Sequence, residues 1–117
     1  PSSNPYLAAV SMIKAGMDGV KNKIDTPEPH SDNVYEFSEA DLDKLNIEML
    51  PEHLGEAIDY FVKDPVITEA LGSYLTKSLV RLKTKEFEDY SEHTGKTWEE
   101  SRPEITKWEL ERYLVRA

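Results

Sequence analysis

Gly95-Lys96-Thr97 is the tripeptide of this chain that most invites a chemical reading, because a glycine turn followed by lysine and a hydroxyl is how phosphate loops end. There, backbone N–H groups cradle phosphates, the lysine neutralises them and the hydroxyl holds magnesium. The motif needs another glycine five residues earlier, and that position is Tyr90. The tripeptide therefore reads as a turn with an exposed lysine. His30, His53 and His93 stand singly, at no metal-ligand spacing, and read as solvated or locally capping side chains. The acidic runs "EFEDYSE" (86–92) and "WEES" (98–101) alternate carboxylates with aromatic residues, the pattern of charged helix faces or loops rather than of an acid–base pair. There is no cysteine, hence no thiolate nucleophile, thiolate metal site or disulfide. Tyr35 stands out only by placement, on an acidic connection where a modifying enzyme could reach it, or where it simply lies over the surface. From the residues alone no active site emerges.

Composition narrows the classes further. A length of 117 residues gives one domain at most. Leu, Ile, Val and Phe make up about 23% of the chain, just above the roughly 20% below which chains are disordered. A core is affordable but thin. The formal charge of −9 argues against unaided nucleic-acid binding, which needs clustered Lys and Arg. No apolar run reaches the roughly 18–20 residues of a membrane span, and no basic-then-apolar leader is present. The start at Pro1 fits an excised piece or removal of an initiator Met.

The elements that would position any site read as helices. Asn4 can cap a first helix with Pro5 at its first position. Leu7, Val10, Ile13, Met17, Val20 and Ile24 then share one broad face, and Ala8, Ser11, Ala15 and Gly19 lie opposite. A helix apolar nearly all round is normally buried, so residues 1–25 are expected to be a buried helix. Gly16 and Gly19 each cost roughly 1 kcal/mol against Ala, tolerable if the small face admits a neighbouring backbone. Residues 26–37 carry Pro27 and Pro29 and read as an exposed loop. Helices follow over 38–92. Ser38 and Asp41 form a capping box, and Phe37 and Leu42 can staple across it. Pro51 opens the next helix with Leu54, Ile58 and Phe61, and Asp64-Pro65 starts another. Gly72 either ends that one or lies within a longer rod through Leu71, Leu75, Leu79 and Leu82. After a polar stretch broken by Gly95 and Pro103, Thr106 and Glu109 box a tail helix over 105–117, stapled by Ile105 and Leu110. The fold class expected is all-α, with neither repeat nor strand pair.

The first helix also carries a family resemblance. "NPYLA" at 4–8, "AGMDGVKNKI" at 15–24 and "NVY" at 33–35 resemble the C-terminal part of the catalytic domain of prokaryotic-type glutamine synthetase. "LPEHLGEAIDYF" (50–61), "EALGSYL" (69–75) and "TKWELERYL" (106–114) continue the likeness in register. The resemblance implies the helical C-terminal portion of an α+β catalytic domain. It implies part of a cytoplasmic ligase joining ammonia to glutamate through γ-glutamyl phosphate, with ATP and Mg or Mn bound by the full-length enzyme. No catalytic, cofactor or metal residue of that family carries over onto these positions. The partners implied are the rest of the synthetase chain and further copies in stacked hexameric rings, with neither nucleic acid nor membrane.

Two departures qualify the likeness. Tyr35 matches a loop tyrosine that some members have adenylylated, but it sits in "NVYEFSEAD", without the prolines of their "NLYDLPPEE". The stretch "SEHTGKTWEESRPE" (91–104) is longer than the usual passage into the terminal helix. Trp108, Leu110, Tyr113, Leu114 and Val115 put apolar bulk around most of the tail's circumference. Trp108, Leu110, Tyr113 and Leu114 are accordingly expected as an oligomer contact; without a partner ring, the tail should fold back on residues 54–82 or exchange between copies. Two other readings stay open: a relative that ligates methylamine or a polyamine to glutamate, and a non-catalytic helical interaction module.

Overall fold

Asn4 and Pro5 start the first helix as their chemistry requires. In the computed structural model, which describes residues 3–29, 31–95, 97, 100 and 105–114, helix α1 spans Pro5–Asn22. The Asn4 side chain accepts from the N–H groups of Tyr6 (3.0 Å) and Leu7 (3.3 Å). A short 3₁₀ turn, Val34–Glu36, interrupts the connection that follows. Helix α2 is Glu39–Lys44, and both halves of the Ser38/Asp41 capping box are made. Helices α3 (Leu54–Lys63) and α4 (Pro65–Thr94) share Asp64, which ends the first and caps the second through bonds from Val66 (2.8 Å) and Ile67 (3.1 Å). Helix α5, Lys107–Tyr113, sits under the completed Thr106/Glu109 box. Its predicted staple is not a buried pair, since Ile105 lies mostly in solvent. All regular structure among the described residues is helical.

Gly72 resolves the question of one rod or two. It lies inside α4 with φ 76° and ψ 161°, a conformation close to glycine-only, and the helix resumes directly after it. The bend brings the Thr76 hydroxyl to 3.3 Å of the Thr68 carbonyl, eight residues back. The two arms then serve different neighbours. Pro65, Val66 and Glu69 of the first face Lys14, Met17 and Lys21 of α1 across a shallow hollow. Leu79, Val80 and Lys83 of the second meet Leu54, Ala57, Ile58 and Phe61 of α3.

The expectation of a buried first helix is not met within these residues. None of α1 is buried. Its half-covered residues are Leu7, Ala8, Ser11, Asp18 and Gly19, mostly the small-residue face, while Tyr6, Val10, Ile13, Met17, Val20 and Ile24 are exposed. A Cβ at Gly16 or Gly19 would meet nothing within 4 Å, so the room those glycines leave is not filled by the described residues. The radius of gyration, 17.2 Å, exceeds the roughly 13 Å of a self-sufficient domain of this length. Among the described residues only Tyr90 and Glu86 are buried, at 7% and 8% exposure.

Candidate functional site

Both of those residues lie where the tail helix returns to the body. Glu86 and Tyr90 are one turn apart on the second arm of α4, continuing the line of Leu79 and Lys83 at spacings of three and four. Leu54 of α3 and Trp108, Glu109 and Tyr113 of α5 close over them, around a half-open hollow of about 90 Å³. The Tyr90 and Trp108 rings meet edge to face at 5.5 Å, and Trp108 meets Tyr113 likewise at 6.2 Å. The Arg112 guanidinium lies 5.0 Å from the Trp108 ring centroid, a cation–π distance.

Glu86 is the polar centre of this seam. Its carboxylate accepts from the Tyr113 hydroxyl and from Lys83 Nζ (2.9 Å), and Arg112 Nε stands 3.8 Å away. Burial opposes ionisation of Glu86, but the Tyr113 hydroxyl, Lys83 and Arg112 together outweigh it and hold the carboxyl below its ordinary 4.5. The same burial and the same carboxylate push Tyr113 up from 10.0 to about 12. The signs follow by linkage. Glu86, with its value lowered on folding, contributes stability that is present above pH 4.5 and lost as pH falls through the lowered value. Tyr113, with its value raised, contributes stability that is present below pH 10 and lost as pH rises through about 12. In a phenolate absorbance titration, one of the six tyrosines should therefore ionise late, near pH 12, and Tyr113→Phe should remove that step. A Tyr113→Phe titration that keeps the late step would place it elsewhere.

Chemically, the hollow is a seam rather than a reaction centre. Glu86 is committed to Tyr113 and Lys83. Glu109 accepts from the Thr106 N–H (2.8 Å) and hydroxyl (2.7 Å), so neither carboxylate is free to move a proton. The other sequence candidates stay apart. Tyr35 is 100% exposed at the centre of the 3₁₀ turn, which Asn33 caps by accepting from the Tyr35 N–H (3.3 Å) while donating to Glu36 (2.8 Å). His53 is a local cap: its Nδ1 accepts from the Glu56 N–H (3.1 Å), and its ring stacks on Phe87 at 5.4 Å. His93 lies in the last turn of α4, and Gly95 ends that helix in the left-handed region at φ 60°. His30, Lys96, Trp98, Pro103 and Val115 lie outside the described residues. Among the described residues no three His, Asp or Glu side chains gather to hold a metal ion.

The sequence reading needs two corrections here. Glu86 belongs to a run read as a charged helix face or loop, yet it is buried. The missed signal was its register, since it occupies the inward stripe of α4 where Leu79 and Tyr90 also lie. The tail does fold back, but onto Glu86 and Tyr90 rather than within 54–82, with Leu54 the shared neighbour. Of the four tail residues marked for contact, Trp108 and Tyr113 face α4. Leu110 and Leu114 do not line the hollow and are exposed, at 43% and 68%.

With this geometry in view, the chain was compared with known proteins. Residues 1–113 match the family model described as glutamine synthetase, catalytic domain. Glutamine synthetase of Pyrococcus furiosus is 46% identical over 115 residues, which is 97% of this chain and 26% of the relative. Glutamine synthetase of Thermotoga maritima is 40% identical over 114 residues, 97% of this chain and 24% of the relative. That of Methanocaldococcus jannaschii is 36% identical over 115 residues, 98% of this chain and 23% of the relative. The chain thus spans about a quarter of the length of the curated relatives it matches.

Proposed function

The chain belongs to the glutamine synthetase catalytic-domain family, and from that premise we propose that it is the C-terminal segment of an ATP-dependent glutamate–ammonia ligase. In that reaction the γ-carboxyl of glutamate takes a phosphoryl group from ATP, and ammonia displaces phosphate from the γ-glutamyl phosphate to give glutamine. The observation that carries the reading is the unbroken match over residues 1–113. The outward apolar face of α1 supports it, because a helix with that pattern calls for a further surface to cover it. The donor set for ATP and divalent metal does not fit the residues described here, so those groups belong to the rest of the ligase. This segment supplies scaffold, a loop and assembly contacts.

Within that proposal, Tyr35 is the adenylylation candidate, presented in solvent on its own capped turn. The outward pair Leu110 and Leu114 is the part of the tail left for contact between copies, in a cytoplasmic assembly of stacked rings. No helix among the described residues is long and apolar enough to cross a membrane. The test is γ-glutamyl ligation by the intact protein, with ammonia, methylamine and a polyamine offered in turn. Ammonia should be the preferred acceptor, and the 117-residue chain by itself should give no turnover above a mock preparation. Preference for another amine would move the protein to a γ-glutamyl-amine ligase, and turnover by this chain alone would show the active site to be misplaced.

A further inference from the structure

We draw no further inference here: the strongest candidate, the hollow between α2 and α3 that Glu39, Asp43, Glu48 and Glu52 line together with exposed Met49 and Leu50, carries nothing, because it is an acidic cluster beside an unpartnered apolar patch and nothing in the structure shows what covers it.

Discussion

Gly72→Ala is expected to destabilise the protein by roughly 1–3 kcal/mol and to pull apart the two sets of contacts that α4 makes. Space is not the obstacle, since a Cβ at position 72 would meet nothing within 4 Å. The obstacle is the backbone, held at φ 76° and ψ 161° where a side chain is strained whatever surrounds it. Alanine would relieve that strain by joining the two arms into a straight helix, for which it is the better former by about 1 kcal/mol. Straightening separates the Thr68 carbonyl and Thr76 hydroxyl, now 3.3 Å apart, to about 12 Å along the axis. The arm that carries α1 then swings away from the arm that carries α3. Thermal melting together with small-angle scattering of the variant measures both effects. A Gly72→Ala protein with wild-type melting temperature and an unchanged scattering profile would show the bend to be dispensable.

The bend also marks how far the sequence could be read. Four helix starts were legible because their chemistry is local: Asn4-Pro5, the Ser38/Asp41 box, Asp64-Pro65 and the Thr106/Glu109 box each act within three or four residues, whereas the helix expected to open at Pro51 starts at Leu54 under a His53 cap. Gly72 was ambiguous because glycine permits a break without requiring one, and the two arms it separates are packed by α1 and α3, which lie outside its own helix. Tyr35 was legible as an exposed residue from its neighbours Asp32 and Asn33, although the capped 3₁₀ turn around it was not anticipated. Glu86 was misread because charge was weighed before register. A carboxylate on an inward stripe is explained only by partners on another element, here Tyr113 and Arg112, which lie more than twenty residues further along. The burial expected of α1 failed for a related reason. Periodicity says that a face wants covering, not that the covering is supplied by these residues.

That uncovered face sets up the sharpest contrast between two proteins. Met17→Asp should leave the 117-residue chain almost unchanged and cripple the intact ligase. In this chain Met17 is already 60% exposed and Val20 74%, so an aspartate at 17 meets water and costs only a few tenths of a kcal/mol in helix propensity. In the intact protein, the line of Tyr6, Val10, Ile13, Met17, Val20 and Ile24 is proposed to seat against the remainder of the catalytic domain. Each large side chain buried there contributes roughly 1.5–3 kcal/mol. A lone carboxylate at the centre of that line would lose its hydration with no cation held opposite it, a penalty beyond about 4 kcal/mol and enough to unfold most domains. Circular dichroism of the short chain and soluble yield, melting and ligation by the intact protein report the two halves of the expectation. An intact Met17→Asp enzyme that melts and ligates like wild type would mean the α1 face stays in water there too. The apolar pattern of the first helix would then be left without a partner anywhere in the molecule.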